Sequence, residues 1–284
     1  DNLSRKNRKF KKIKNVKYIF GDIRKINNLK KCFKNRIDGV IHLAYINGTS
    51  SFYKIPCDIL EVGTKGIINL LDLCIKSKIK EFYLASSSEV YHLPKKIPTN
   101  ENESIKIPDV HNPRYSYSGG KIISELFCIH YGKKYFKKMV IFRPHNVYGP
   151  NMGLKHVVPQ FIMEFLKHND KSEKASINVK GSLKAVRAFC FVQNIVKGIQ
   201  LLAKLNSGVN VYNLGNTKTL SMKELLSEIS LILKKDYVIS ENSDTHFGGT
   251  RLRCPDIRKA ESIGFLPEVE IQEGLKHTID WYKK

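Results

Sequence analysis

Residues 81–91 read EFYLASSSEVY, and this stretch decides how the rest of the chain is interpreted. The apolar run at 82–85 leads directly into three serines. A short apolar run bounded by small polar residues is typical of a strand buried on both faces of a parallel sheet. Such sheets bind ligands beyond the carboxyl ends of their strands, so we expect the serines at a ligand site. A plain loop or helix cap rich in serine is the alternative that this stretch alone leaves open.

The same alternation continues on both sides of this strand. Short apolar runs predict strands at 16–20, 39–43, 81–85 and 139–142, and helical periodicity predicts helices at 26–33, 59–77 and 115–135. Strands joined by crossover helices form a parallel sheet. The expected fold class is therefore α/β, a Rossmann-like doubly wound parallel sheet with a smaller C-terminal lobe.

After Pro150 the alternation is less regular. We predict helices at 157–167 and 194–204, strands at 187–192 and 209–214, a helix opened by the capping box of Ser221 and Glu224, and helices starting at 256 and 271. The expected organisation is a cofactor-binding domain at 1–150, to which residues 187–215 return, and a substrate-binding lobe at 151–186 and 216–284. Three stretches, 46–52, 93–109 and 169–185, are expected to be loops that set substrate specificity.

The net charge of +23 admits three classes of protein: a nucleic-acid binder, an anionic-membrane binder, or an enzyme with a phosphorylated substrate. Basic residues are spread along the chain with a local cluster only at 5–14, and aromatic residues are not interleaved with them. A dedicated nucleic-acid role is therefore not expected. An RNA-binding Rossmann protein is an alternative that rests on the charge alone. It predicts an affinity for RNA that falls steeply with salt concentration.

Location and redox state follow from what the 284 residues contain. The sequence has no apolar run near the roughly 18 residues that a membrane span needs, and it starts with polar residues. We therefore expect a cytoplasmic protein without a membrane partner. The six scattered cysteines include no C-x-x-C pair, which predicts buried, reduced thiols and no metal site.

A second motif, YSGGK at 117–121, follows the serines by about thirty residues. Tyr117 and Lys121 are four residues apart and share one helix face, where an ammonium group lowers the pKa of a phenol. A tyrosinate near neutral pH can remove the proton of a hydroxyl group while hydride leaves the carbon beneath it. A tyrosine and a lysine also occur at this spacing in helices by chance. The motif therefore indicates a catalytic site only together with the neighbouring motifs.

Those neighbours include RPHNVYGP at 143–150. The order of the three motifs resembles that of the extended short-chain dehydrogenases/reductases that act on nucleotide sugars, over nearly the whole chain. The resemblance implies an NAD-dependent nucleotide-sugar epimerase/dehydratase that transiently oxidises the sugar at C4. A G-x-x-G-x-x-G turn, which lays pyrophosphate on a helix N-terminus, does not occur in the 284 residues. The first βαβ unit is therefore expected to be truncated.

The resemblance also assigns roles to single residues. Tyr117 would be the catalytic base, Lys121 would bind the nicotinamide ribose and lower the pKa of Tyr117, and Ser87 would hydrogen-bond the reacting hydroxyl. The implied catalytic residues are Tyr117, Lys121, Ser87 and Glu89. The implied NAD-binding residues are Asp1, Asp22, Ile23, Leu43, Ala44, Tyr45, Ser86, Tyr117, Lys121 and Pro144. The implied substrate-binding residues are Ser88, Thr49, Asn146, Arg187, Arg251 and Arg253.

Further implications concern cofactor choice and assembly. Asp1 favours NAD over NADP, because a carboxylate accepts a ribose hydroxyl and repels a 2′-phosphate. The family analogy implies a homodimer formed through the helices at 59–77 and 115–135. Two positions depart from the family pattern: Gly63 stands where an asparagine is common, and Gln193-Asn194 replaces an acidic pair.

The reaction branch stays open. Dehydratases of the family place a carboxylate at the position of Glu89 to remove the proton next to the ketone, and UDP-glucuronate decarboxylases share the Ser-Glu-Val-Tyr order. A structural role for Glu89 in a turn is the other reading. Ser88 stands where dTDP-glucose dehydratases have an aspartate, which weakens that branch. A non-catalytic NAD- or nucleotide-binding protein is the alternative of a different class.

Overall fold

The computed structural model describes residues 1–4, 13–168, 174–243 and 250–284. These residues form two compact units. The first unit contains Asp1–Val90, Ile105–Arg143 and Lys204–Tyr212, and the second contains Tyr91–Ser104, Pro144–Ala203 and Asn213–Lys284. The predicted division into a cofactor domain and a substrate lobe stays a prediction.

The elements are numbered in chain order. The helices are α1 Ile26–Lys30, α2 Thr49–Lys54, α3 Pro56–Glu61, α4 Ile67–Lys76, α5 Ser116–Tyr135, α6 Val157–Lys167, α7 Val192–Ala203, α8 Met222–Leu233, α9 Arg258–Glu261 and α10 Ile271–Tyr282. The strands are β1 Gly39–His42, β2 Glu81–Ala85, β3 Lys138–Pro144, β4 Val147–Tyr148, β5 Ala175–Lys180, β6 Val186–Arg187, β7 Cys190–Phe191, β8 Gly208–Leu214, β9 Leu220–Ser221, β10 Tyr237–Ser243 and β11 Leu252–Arg253.

The sheet of the first unit has the strand order β1-β2-β3-β8. β2 pairs in parallel with both neighbours, so that Phe82 stands opposite Val40 on one side and Met139 on the other. Helix α4 packs against these strands, and Leu71, Phe82 and Met139 are fully buried in one apolar cluster. Each such side chain contributes about 1.5–3 kcal/mol when it leaves water. The parallel strands and intervening helices confirm the predicted α/β fold class.

A second apolar cluster forms the core of the second unit. It joins α6, α8 and α10 to β5, with Phe161, Ile177, Leu225 and Ile279 among its buried members. Around it lie three small sheets: β5 pairs with β10, β6 lies between β9 and β11, and β4 pairs with β7. Ser221 caps α8, because its hydroxyl accepts from the Glu224 N–H while the Glu224 carboxylate accepts from the Ser221 N–H. The predicted capping box is confirmed.

Several predicted elements are wrong or incomplete. Residues 16–20 form no strand: Phe20 is 69% exposed, and the adjoining Gly21 N–H donates to the carbonyl of Asp1 at 3.1 Å. A strand needs a row of backbone partners, and an apolar run alone does not supply one. The strand predicted at 187–192 divides into β6 and β7. Within the predicted loop at 169–185, residues 169–173 lie outside the described residues, and Ala175–Lys180 forms β5; the predicted loop at 46–52 contains the start of α2.

The helix predicted at 59–77 exists with an interruption. Between α3 and α4 the chain makes one π-helical turn, Val62–Gly66. A Cβ atom at Gly66 would lie 2.5 Å from Ile23 Cδ1, and one at Gly63 would lie 2.9 Å from Gly120 Cα. A side chain at Gly63 would therefore collide with the backbone of α5, whereas one at Gly66 would have to displace the flexible end of the Ile23 side chain.

Within the described ranges, no helix has both the length and the apolar character that a membrane span requires. The cysteine prediction holds for four of the six residues. Cys74, Cys128, Cys190 and Cys254 are buried free thiols. Cys57 is exposed, because it lies in the first turn of the short helix α3.

Candidate active site

Helix α5 carries the two central residues of the predicted site. The Asn112 side chain accepts a hydrogen bond from the Arg114 N–H at 3.0 Å, and Pro113 starts a 3₁₀ turn that leads into α5. Proline suits this position, because the first N–H groups of a helix have no partner inside it. Tyr117 and Lys121 follow one turn apart, and only 6% and 3% of their surfaces are exposed. The predicted pair therefore lies inside the protein.

The Lys121 ammonium group joins this helix to the serine-bearing strand end. Its Nζ donates to the carbonyl of Ala85, the last residue of β2, at 2.6 Å. Burial lowers the pKa of Lys121 to about 7, although the negative charges of Glu125 and Cys128 oppose this shift. The ammonium group consequently exchanges its proton near neutral pH.

The rings of Phe52 and Tyr45 pack against the pair. The Tyr117 ring stacks on Phe52 of α2 with 4.9 Å between centroids, and it meets Tyr45 edge-on at 5.3 Å. Lys121 Nζ lies 3.9 Å from the centroid of the Tyr45 ring and 5.9 Å from that of Tyr117. Burial, and next the charge of Tyr117, raise the pKa of Tyr45 well above its ordinary value. Tyr45 is therefore a neutral phenol that offers the ammonium group its ring face.

The serines after β2 have different partners. The Ser86 hydroxyl donates to Glu125, whose carboxylate also forms a buried ion pair with Arg143 of β3, with Nη2 and Oε2 2.6 Å apart. Removing one partner of such a pair costs about 3–5 kcal/mol. The Ser87 hydroxyl accepts from the Glu89 N–H at 3.2 Å. Ser86 thus ties the strand end to α5, and Ser87 shapes the turn that carries the half-buried Glu89.

Ser88 and Thr49, two predicted substrate contacts, lie in the same unit. Ser88 is 7% exposed at the start of the 3₁₀ turn Ser88–Tyr91. Thr49 is half-buried at the first position of α2, after Gly48 with φ of 117°. Phe52 on the same helix brings α2 against Tyr117, which places Thr49 one turn away from that contact.

Further residues predicted to bind NAD lie at position 1, in the loop before α1 and directly after β1. The Asp22 carboxylate accepts from the Arg24 N–H at 2.9 Å and from its guanidinium at 2.8 Å, and these bonds lower the pKa of Asp22. The Asn69 amide donates to the carbonyls of Ile23 and Arg24 at 3.1 and 3.0 Å, which fixes the loop. The exposed Asp1 accepts from the Leu3 N–H at 2.6 Å. Leu43 and Ala44, directly after β1, are exposed, with 60% of the Leu43 surface open.

The remaining predicted contacts lie in the second unit. Arg187 of β6 and Arg253 of β11 are paired in register. Arg253 is 8% exposed and donates to Thr250 Oγ1 at 2.8 Å, whereas Arg251 is exposed. Asn146, with φ of +40°, donates from its side chain to the carbonyl of Ala188, whose N–H donates to the Arg253 carbonyl. Pro144 is half-buried at the end of β3. Arg187 and Arg253 therefore lie side by side on neighbouring strands of one small sheet, and Arg251 lies directly before the second of these strands.

Sequence reasoning missed a buried polar network in the second unit. The Asn213 side chain, fully buried, accepts from the Tyr91 hydroxyl at 2.8 Å and donates to the carbonyls of Thr99 and Asp256 at 2.9 and 3.2 Å. These bonds hold the 91–104 segment in place. An asparagine between apolar residues near the end of a predicted strand was the available signal, because a buried amide needs several partners.

A parallel α/β sheet, a Tyr-x-x-x-Lys helix and a lysine bonded to the serine-bearing strand end define the short-chain dehydrogenase/reductase class. The family model described as "NAD dependent epimerase/dehydratase family" matches residues 2–215. The chain belongs to that family. The predicted family is confirmed, and NAD is confirmed as the cofactor on which the family depends.

Individual relatives represent several branches. UDP-glucuronic acid decarboxylase 1 of Xenopus tropicalis is 32% identical over 87% of this chain, and the chain spans 57% of that relative's length. The dTDP-D-glucose 4,6-dehydratase of Homo sapiens is 28% identical over 95% of this chain and 76% of its own. Among solved structures, UDP-glucose 4-epimerase of Thermotoga maritima with UDP-glucose aligns with a TM-score of 0.85 at 24% identity, covering 100% of this chain and 89% of the other. The last similarity confirms the fold.

Proposed function

We propose that this chain is an NAD-dependent nucleotide-sugar epimerase/dehydratase that transiently oxidises the sugar at C4, with Tyr117 as the base. The observation that carries the proposal is the 2.6 Å hydrogen bond from Lys121 Nζ to the Ala85 carbonyl. This bond holds the Tyr-x-x-x-Lys helix against the strand end that bears Ser86 and Ser87. A base, a cation and a serine hydroxyl are thereby supplied by adjoining parts of one unit.

The residues of the first unit fit NAD. Lys121 offers a poorly solvated ammonium group, which suits the paired hydroxyls of a ribose, and Leu43 is an exposed apolar side chain at the carboxyl end of a parallel strand. Asp22 is already engaged by Arg24, so we assign its contact with adenine to the fixed 22–23 loop rather than to a free carboxylate. The remaining proposed NAD contacts are Asp1, Ala44, Tyr45, Ser86 and Pro144.

The chain's own residues then divide the chemistry. When bound, NAD accepts the hydride from C4. Tyr117 removes the proton of the C4 hydroxyl, and the positive charge of Lys121 favours its deprotonated form. Ser87 orients the same hydroxyl from the other side. The half-buried aromatic surroundings of Tyr117 exclude water, which strengthens these interactions.

The arginines of the second unit are proposed to bind the diphosphate of the nucleotide. A guanidinium group forms two parallel hydrogen bonds with a phosphate, and the permanent charge of Arg187, Arg251 and Arg253 suits two adjacent phosphates. Asn146, Ser88 and Thr49 complete the proposed substrate contacts.

A decarboxylase acting on a UDP-uronate is the second candidate. The two relatives that are 32% and 31% identical are UDP-glucuronic acid decarboxylases, and the chain spans 57% and 58% of their lengths. Decarboxylation of a 4-keto uronate needs no base at C5, so Glu89 would be dispensable on this branch. On the dehydratase branch Glu89 removes the proton at C5, next to the ketone, so Glu89 is required for activity.

The test is mass spectrometry of the products formed from UDP-, dTDP-, GDP- and CDP-sugars, including UDP-glucuronate, with NAD and the full-length protein. Loss of carbon dioxide identifies a decarboxylase, loss of water a dehydratase, and a changed retention time at unchanged mass an epimerase. Tyr117→Phe is expected to abolish turnover while NAD still binds, because it removes only the phenolic proton carrier. Failure to bind NAD and to convert any of these sugars would overturn the proposal in favour of a non-catalytic protein.

A further inference from the structure

Tyr45 fits into a space left by two glycines. A Cβ atom built at Gly63, in the π-helical turn, or at Gly120, in α5, would come closer to the Tyr45 hydroxyl than the 3.0 Å that real Cβ atoms keep. Gly120 lies directly before Lys121, and Gly63 lies in the helix that packs against α5. The three residues together fix where the Tyr45 ring lies.

The ring, rather than the hydroxyl, makes the polar contact. Among the described residues the Tyr45 hydroxyl is buried without a hydrogen-bond partner. The face of its ring lies 3.9 Å from Lys121 Nζ, and its edge meets the Tyr117 ring at an angle of 89°. A cation over an aromatic face is attracted by the negative charge density of the ring, most strongly where water is excluded.

We propose that Tyr45 is a positioning residue that holds the Lys121 ammonium group in place and keeps it protonated, with Gly63 and Gly120 providing the space for its phenol. This inference rests on the proposed function, since it deepens the role of Lys121 beside Tyr117. Tyr45 is also predicted to contact NAD. The positioning role is additional and requires no bound ligand.

Among the other charges near the ammonium group, that of Glu125 raises the pKa of Lys121, although Glu125 is shared with Arg143. The titratable groups that face it are His42 from β1, Tyr45 from the segment after β1, and Tyr117, Glu125 and Cys128 from α5. Burial, and then the charge of Lys121, lower the pKa of His42 to about 3, so this ring is neutral. Burial raises the pKa of Cys128, and Glu125 is paired with Arg143. The Ala85 carbonyl and the Tyr45 ring are thus contacts through which the cation is stabilised.

The first experiment measures the pKa of Lys121 in the full-length protein without ligand. Lysine labelled with ¹³C at Cε is followed by NMR against pH, and the Lys121→Met variant identifies the signal. Tyr45→Leu removes the ring and is expected to lower the pKa of Lys121 by about one unit. Tyr45→Phe keeps the ring and is expected to leave the pKa in place; Tyr45→Met replaces the leucine variant if that one does not fold.

The second experiment tests the space around the phenol. Gly120→Ala is expected to displace Tyr45 and to lower both the unfolding midpoint and the pKa of Lys121. In a Tyr45→Phe background the added Cβ meets ring carbon Cζ at 3.4 Å, an ordinary contact, so both quantities should recover. Gly63→Ala is the matched control, because its Cβ also lies 2.9 Å from Gly120 Cα and Tyr45→Phe cannot relieve that contact.

Equal pKa values of Lys121 in the wild type and in the leucine variant would overturn the inference. So would a Gly120→Ala variant that Tyr45→Phe does not restore. Neither readout uses a sugar substrate or NAD. A protein that shows both expected effects but turns over no nucleotide sugar would therefore refute the proposed function and leave the role of Tyr45 standing.

Discussion

Two groups of cations in this chain are built in opposite ways. Lys121 is buried in the second turn of the long helix α5, where dehydration lowers its pKa to about 7. Arg187 and Arg253 lie on two-residue strands of a small sheet, bonded to carbonyl and hydroxyl oxygens. A guanidinium group keeps its charge at every physiological pH, whereas a buried ammonium group does not.

The difference separates two tasks that one kind of cation could not perform together. A cation that favours the deprotonated form of a neighbouring base acts most strongly where it is buried, and burial also brings its own pKa into the working pH range. A group that binds phosphate must remain charged, and a guanidinium group does so even where it is buried, as at Arg253. Lys121 is therefore a buried cation whose charge titrates, whereas the arginines carry a permanent charge.

The largest expected effect comes from removing the titratable cation. Lys121→Met should lower kcat by about 10²–10⁴-fold, because Tyr117 loses the charge that favours its deprotonated form. Steady-state kinetics at saturating nucleotide sugar provides the measurement. Lys121→Arg sharpens the comparison, since it keeps a charge that cannot titrate and should recover only part of the loss. A kcat of Lys121→Met within tenfold of the wild-type value would show that Tyr117 does not depend on the charge of Lys121.

A smaller effect is expected at the permanent cations. Arg253→Gln should raise KM for the nucleotide sugar by about 10–100-fold with little change in kcat, because one charge-assisted contact with the diphosphate is lost. The KM of Arg253→Lys should lie between those of the wild type and Arg253→Gln, because lysine keeps the charge and loses the paired donors. Arg258→Gln is the matched control: this arginine pairs with Asp256 at 2.5 Å and is 82% exposed. A fall in kcat with unchanged KM would contradict the assignment.

The smallest effect concerns stability. Lys121 has a folded pKa of about 7, below its ordinary value of 10.5, so between these pH values the unfolded chain holds a proton that the folded protein has released. Stability therefore rises with pH in this window, and below pH 7 both states hold the proton. From pH 7 to 9 the wild type should gain about 1–2 kcal/mol in free energy of unfolding relative to Lys121→Met.

Denaturant unfolding at pH 6, 7.5 and 9 measures this difference in the ligand-free protein. Arg253→Gln should show a constant offset from the wild type over the same range, since a guanidinium group does not titrate there. Parallel curves for the wild type and Lys121→Met would mean that the ammonium group is not dehydrated as the structure indicates.

Elements whose sequence signal is local were predicted well. β2 was predicted with its observed bounds, because its apolar run is buried on both sides and ends at serines. α8 was predicted from the capping box of Ser221 and Glu224, since both partners lie within one turn. Tyr117 and Lys121 were recognised as a pair because residues four apart lie on the same face of a helix. In each case the sequence signal lies within one short stretch of the chain.

Elements that depend on distant partners were missed. β5 and β10 mix polar with apolar residues and pair across about sixty residues of chain. The space around Tyr45 combines positions 45, 63 and 120, and from the sequence Gly63 was seen only as a departure from the family pattern. Three residues so far apart share no periodicity, so their fit becomes visible only when the backbone places them together.

The π-helical turn at Val62–Gly66 makes the helix between β1 and β2 sensitive to length as well as to composition. Each residue of an α-helix advances the following side chains by about 100°. Deleting one residue from this turn would rotate Asn69 away from the carbonyls of Ile23 and Arg24 that it holds. Single-residue insertions and deletions should therefore be excluded from 62–66 during evolution, while substitutions on the exposed face nearby remain acceptable.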